Sequence, residues 1–306
     1  MVIVPVSQAV SVPYAGGYDY VTVDPRRHRI YAAHTGADRL LIADADTGAI
    51  LGQVVVGPMH GSAADPVTGM VYTGDGKADA ISEVDPVTMK VVARTAVGGP
   101  VDALTYDPFY HRIYADEDSG TVVFVIDAKT MKEIGTVALP GHDEEFLTVD
   151  PVTHAVFQNV PDLAEFVEID PVSLRVTKTV RTPMLQSDHP LQYDRRYHVI
   201  VVGGKNGVMA AYTPQGKFLG SMAFPKGVDQ CSLDQRTHDL ACAGKGAISV
   251  FRVNPHGAPS LLATLHTAHD IHTVAIDPRT GYLWVVWPGS AGASYEQRFR
   301  LAARSK

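Results

Sequence analysis

"YVTVDPRRHRIYAAH", Tyr20 to His34, is an alternating apolar run, a polar turn opened by Asp24–Pro25, and a second run of β-branched and aromatic residues. This is the pattern of a β-hairpin. Asp at the first turn position accepts backbone N–H groups two residues on, and the following Pro presets φ. The same grammar returns in "ALTYDPFYHRIYADE" (103–117) and "FLTVDPVTHAVFQNV" (146–160). The turn Asp itself recurs at Asp24, Asp65, Asp107, Asp150, Asp194, Asp234 and Asp277, at intervals of 41, 42, 43, 44, 40 and 43 residues. Pro follows in five cases, and Arg195 and Gln235 take its place in the other two. Turn chemistry is a sufficient reason for these aspartates, so no function is assigned to them.

In most units a second hairpin follows, as in "RLLIADADTGAILGQVVVG" and "TVVFVIDAKTMKEIGTVAL". Four short strands per unit of about 42 residues, seven times over, is the sequence signature of a seven-bladed all-β propeller. The whole chain, 1–306, reads as one domain. Its blades fall at roughly 14–57, 58–99, 100–141, 142–184, 185–226, 227–268 and 269–306. The last unit runs out of chain after "SYEQRFRL", so residues near 1–13 are expected to supply its missing outer strand and close the ring.

"RIYAAHTGADRLLIADADTGAILGQVVVG" and "RIYADEDSGTVVFVIDAKTMKEIGTVALPG" resemble YVTN-type β-propeller repeats. The resemblance spans nearly the whole chain, with blades 5 to 7 matching loosely. It implies the propeller fold and a wide group of relatives: surface-layer and periplasmic proteins, streptogramin lyases and calcium-dependent lactonases. The tetrapeptide is degenerate here ("IYAA", "VYTG", "IYAD", "VFQN"), so the resemblance assigns no site residue.

Composition narrows the partners. A net charge of −7 argues against nucleic acid or an anionic membrane surface, both of which reward basic patches. No apolar stretch is long enough for a membrane span, and "MVIVPVSQAV" lacks the basic start of a signal peptide. The chain therefore reads as soluble: cytoplasmic as written, periplasmic or secreted if a signal has been removed. The two cysteines, Cys231 and Cys242, are too few for a disulfide framework or a Cys-based zinc site. They are expected as two small buried residues, with a single bridge across adjacent strands as the alternative.

The first strand of each blade lines a propeller's central channel. Five residues before each turn Asp stand Asp19, His60, Asp102, Glu145, His189, Asp229 and His272. With 33 acidic residues and 13 histidines in 306, a random column of this kind has odds on the order of 10⁻⁶. A mixture of imidazole and carboxylate suits a shared ligand better than seven copies of one local bond. His60, His189 and His272 divide the ring nearly threefold and are the candidate ligands of a divalent transition metal, Zn, Fe, Mn or Cu. Asp19 and Asp229 flank them and are expected to accept the second imidazole N–H. Asp102 and Glu145 are the candidate catalytic carboxylates, Glu145 having the reach for a fourth ligand or a general base. Without a cation, so many ionisable groups around one axis should leave some carboxylates protonated.

A second, looser ring lies where the second strands end: His34, Asp75, Glu117, Val160, Gly204, Gly244 and Trp287, with Lys205 and Lys245 one residue on. These are expected at the rim of a substrate pocket, with His269 as an auxiliary ligand. There is no G-x-S-x-G and no phosphate loop in a strand-to-helix context. The functional expectation is a metal-dependent enzyme carrying out hydrolysis or elimination on a small molecule. An iron or copper oxidative enzyme with the same ligands, and a non-catalytic binding or assembly module, are the alternatives.

Overall fold

The computed structural model describes residues 1–142, 145–267, 269–289 and 292–304. Among them the strands form seven antiparallel sheets, six of four strands and one of five. Blade 3 shows the plan: Val101–Asp107, Arg112–Glu117, Val122–Asp127 and Lys132–Ala138 follow one another outward from the channel. The first strands of neighbouring blades touch all the way round, and Val274–Asp277 of the last blade meets Val21–Asp24 of the first. Two 3-10 turns, Thr35–Ala37 and Pro161–Leu163, are the helical residues among those described. No helix there is long and apolar enough to cross a membrane.

The N-terminal segment closes the seventh blade, as its sequence implies. Strands β1 (Val2–Pro5) and β2 (Val10–Pro13) both lie along Ala293–Ala302, pairing Val2 with Ala302 and Val10 with Glu296. The ring is thereby shut by hydrogen bonds between the two ends of the chain, with β1 and β2 as the outer strand of the seventh blade.

The core lies between blades, not inside one. Seven apolar clusters each bridge adjacent blades, for example Val199 and Val201 with Val228 and Leu240 between blades 5 and 6, and the one between blades 3 and 4 also takes in Tyr20 of blade 1. A single blade therefore cannot bury its own faces, which is why the repeats must close into a ring.

The turn aspartates behave as their spacing predicts. All seven are buried, and each carboxylate accepts the backbone N–H two residues on, as Asp24 does from Arg26 at 2.9 Å. The fourth residue after each Asp adopts the left-handed conformation. It is Gly69 and Gly281 in blades 2 and 7, and His28, His111, His154, His198 and His238 in the others. Histidine tolerates that region better than most residues. Two of these imidazoles reach back to the preceding blade's turn: His154 Nδ1 lies 3.1 Å from Asp107 and His238 Nδ1 2.6 Å from Asp194. Five of the thirteen histidines thus belong to the lower turns, on the face away from the ring residues.

Cys231 and Cys242 form a disulfide, which corrects the reading of two small buried thiols. They stand directly opposite on the first two strands of blade 6, with Cα atoms 4.1 Å apart. That is the close-pair spacing of an antiparallel ladder, within bridging reach.

Candidate metal site at the channel mouth

The ring residues are aimed inward by irregular pairing. In blade 2 the ladder passes from Met59–Asp75 to Ser62–Thr73, leaving His60 in a bulge. Asp102, His189 and Asp229 lie in the corresponding skips of blades 3, 5 and 6. In blade 4 the skipped residue is Phe146, next to Glu145 and held at φ 52°. In blades 1 and 7, Asp19 and His272 precede the first strand altogether. Bulges re-aim a side chain and end the pairing locally, so ring positions leave the ladder where they face the channel.

Two carboxylate–imidazole–carboxylate sets result, one on blades 1–3 and one on blades 4–6. His60 Nδ1 lies 2.7 Å from Asp19 Oδ2 and 3.4 Å from Asp102 Oδ1. One ligand atom from each of these three side chains comes within 4.8 Å of the other two. Among the described residues this is the group of three that qualifies as a cation site. The three side chains are 29%, 19% and 16% exposed, so they face the open mouth.

The second set is arranged differently. His189 Nδ1 lies 3.0 Å from Glu145 Oε2, and its Nε2 lies 2.6 Å from Asp229 Oδ1. With a carboxylate on each nitrogen, His189 is held as an imidazolium and has no lone pair to offer a cation. His272 turns its Nε2 to the Tyr18 carbonyl at 2.9 Å. The three imidazoles expected as a ligand set are therefore not brought together. Asp19 and Asp102, expected as a tautomer partner and a catalytic carboxylate, join His60 instead.

The electrostatics follow from this crowding. Burial drives the Asp102 carboxyl well above its ordinary range, and repulsion from Asp116, Asp19 and Glu145 adds to it. The hydrogen bond that the His60 imidazole donates to Asp19 raises it against the opposing effect of burial. Burial lowers His189, but Asp229 and Glu145 outweigh it and lift it to about 9. Asp229 is raised by burial and more than returned by His189, ending below its ordinary value. Carboxylates crowded closely enough to raise Asp102 and both imidazoles repel one another, and a bound cation would relieve that repulsion.

Asp116 is a further member of the site, outside the ring column. It is fully buried opposite the blade-3 bulge; Oδ1 accepts the Ala103 N–H at 2.7 Å and Oδ2 accepts the Gln158 amide at 3.1 Å. Burial pushes its carboxyl up to about 7. It anchors the loop that presents Asp102. An Asp just before the rim residue Glu117, where other blades carry Ala, Gly, Asn or Val, is the sequence signal that marks it.

Beneath the ring the channel is narrowed. Tyr20 meets Phe146 edge-on at 5.6 Å. Gln230 reaches from blade 6 to bond both the N–H and the carbonyl of Val21 in blade 1. The hollow left there is about 80 Å³. A larger cavity of about 290 Å³ lies beside the ring on blades 3 to 5, walled by Asp118, Glu145, Asp162, His189 and Lys205.

Of the expected rim, Lys205 lines this cavity. His34, Asp75 and Trp287 are buried within the blades. His34 stacks on Tyr18 at 4.2 Å, and Asp75 accepts the N–H groups of Lys77 and Ala78. His269 stacks on Trp287 at 4.7 Å, away from any ligand role. Glu117 accepts the Thr121 N–H, and Lys245 sits at a left-handed turn with its stem close to Gly227.

No protein-family model matches the chain, and no curated protein matches it. Many solved structures share its fold. A chain of the hydrazine synthase of Kuenenia stuttgartiensis superposes with a TM-score of 0.78 at 14% identity, covering 94% of this chain and 96% of that one. The Cps50 (Swd1) β-propeller domain of Myceliophteria thermophila superposes at 0.80 with 9% identity, covering 98% and 100%. At such identities the likeness establishes the seven-bladed propeller and nothing of the chemistry.

Proposed function

We propose that the channel mouth is a metal-dependent catalytic site for a small molecule, with Asp19, His60 and Asp102 as its protein ligands. The observation that carries this is the meeting of those three side chains, from three successive blades, within 4.8 Å of one another. Two carboxylates and one imidazole make a set harder than three histidines. Carboxylate oxygens and an imidazole nitrogen together suit Mn²⁺, Fe²⁺ or Zn²⁺. Such a cation would lower the pKa of water or polarise a carbonyl.

The remaining roles fall to the second set. Glu145 lines the adjacent cavity and is placed to take a proton from water or substrate. His189, fixed between Glu145 and Asp229, holds that carboxylate in position. The narrowing at Tyr20, Phe146 and Gln230 leaves the upper mouth as the route for substrate. The reaction class is hydrolysis or elimination. The repeats are read as YVTN-type on the motifs quoted above. The Cys231–Cys242 bridge favours an oxidising compartment.

The test is a panel of esters, lactones and amides offered to chelator-stripped protein reloaded with each metal. Turnover restored by metal and lost in Glu145→Gln with metal retained supports the proposal. Turnover indifferent to chelation overturns it.

A further inference from the structure

The turns that end the first strands lie on the face opposite the channel mouth, and they lean on one another. Arg27 reaches from blade 1 to the Val67 carbonyl, and Phe109 of blade 3 stacks on His154 of blade 4 at 4.3 Å. Arg236 and Arg279 reach Pro278 and Asp46 on the blades beyond their own. Two residues after each turn Asp, this surface changes character. Val67, Phe109 and Val152 stand on blades 2 to 4, and Arg196, Arg236, Arg279 and Arg26 on blades 5, 6, 7 and 1. Arg195 and Arg27 widen the basic arc. The three apolar side chains are 66%, 64% and 69% exposed, and Val87 and Val172, in the turns after the third strands of blades 2 and 4, are exposed too. Apolar residues scattered singly on a surface need no explanation, but a group gathered on adjacent blades makes a patch. Both arcs are open to a partner. Arg195 and Arg196 are anchored through their backbone N–H groups, and among the described residues their guanidinium groups have no acidic partner. Grooves of about 430 and 310 Å³ open beside Val152 and Val67, walled by Phe157 with Tyr193 and by Tyr72 with Tyr106.

We propose that this lower face docks a segment of a partner protein in which acidic residues adjoin an apolar anchor. The acidic part would lie on the arginines of blades 5, 6, 7 and 1, whose planar guanidiniums match carboxylates two bonds at a time. The anchor would cover Phe109 and the valines and send side chains into the two grooves, each the size of a small ligand site. Phe109 is suited to this because His154 and Tyr110 already fix its ring, so little freedom is lost on binding. A nucleic acid would match the arginines but leave the valines against water. An anionic bilayer would be repelled at long range by the net charge of −7, and valine is too short to reach far past the headgroups. The acidic, apolar segment complements both arcs at once.

The probe is a fluorescent synthetic peptide, an oligoglutamate run joined through Gly-Ser to Phe-Leu-Val-Leu, titrated into the full chain by anisotropy. One control replaces the glutamates by lysine and another replaces the apolar end by serine. The probe is expected to bind at least about tenfold more tightly than either control, and to weaken as salt is raised. Arg195→Glu combined with Arg196→Glu is expected to cost about tenfold or more, and Phe109→Ser about tenfold. Val152→Ser is the second apolar variant, and circular dichroism with thermal unfolding establishes that each variant is folded. None of these positions touches the channel mouth, so the outcome stands whether or not a cation binds there. Probe binding no tighter than that of the lysine peptide, or unchanged in the folded arginine and apolar variants, overturns the proposal. So does tighter binding, lost in the arginine variant, of phosphatidylserine vesicles or a single-stranded oligonucleotide. Self-association of the chain in sedimentation, abolished by the arginine variant, would assign the face to a second copy and overturn it as well.

Discussion

Replacing Glu296 by Gln should flatten the pH dependence of this protein's stability. Glu296 sits in the third strand of blade 7, between Val10 and Val286 of the neighbouring strands, and is 1% exposed. Its Oε2 has no hydrogen-bond partner. Burial pushes the carboxyl up to about 8, with Arg298 only partly offsetting it, against 4.5 for a free glutamate. Below the free value both folded and unfolded chains hold the proton, and the side chain contributes no pH dependence. Between the two values the unfolded chain has released it and the folded chain has not. Stability then falls by about 1.4 kcal/mol per pH unit as pH rises. Over the full interval the loss reaches roughly 5 kcal/mol. Gln has the same shape and never ionises. In denaturant titrations at about pH 5 and about pH 9, Glu296→Gln should match the wild type to within about 1 kcal/mol at the lower pH and exceed it by several at the higher. A difference that does not change with pH would refute the reasoning.

Other consequences are open to the same kind of measurement. Replacing Cys231 and Cys242 together by Ala should cost about 3 kcal/mol, the loop-closure value for a separation of 11 residues; two reactive thiols in unreduced, unfolded wild type would contradict the bridge. Ile3→Ala removes a buried side chain of the closing strand from the cluster between blades 6 and 7 and should cost about 2–5 kcal/mol in chemical unfolding. Unchanged stability would mean that the strand does not close the ring. Asp116→Ala strands the Ala103 N–H and the Gln158 amide and should weaken metal binding about 10–100-fold by loosening the Asp102 bulge. An affinity equal to wild type would show that Asp116 is only structural.

The architecture was legible because one residue type recurs at one turn. The seven turn aspartates carry the period, and their neighbours carry the strand pattern, so blade number, topology and the closing N-terminal strand all follow. The ring column was legible for the same reason, since equivalent repeat positions share an axis. Which members of the column meet was not. His60 and His189 are each flanked by two acids, and only the bulge geometry decides that one imidazole turns a single nitrogen to both carboxylates and the other one to each. His34 and Trp287 look like rim residues from their register, but each stacks on an aromatic neighbour and is buried. The bridge was hidden because facing cysteines and bridged cysteines have the same sequence. The turn histidines, such as His154 and His238, are periodic too, yet their role depends on a backbone conformation that composition does not reveal.

The central claim is that Asp19, His60 and Asp102 hold a divalent cation. Metal content after equilibration with Mn²⁺ or Zn²⁺ and desalting tests it in four proteins: wild type, His60→Ala, His189→Ala and His272→Ala. The account predicts about one ion per chain in the wild type and in the His189 and His272 variants, and less than about a tenth in His60→Ala. Full occupancy in His60→Ala, or its loss in His189→Ala or His272→Ala alone, would contradict the assignment.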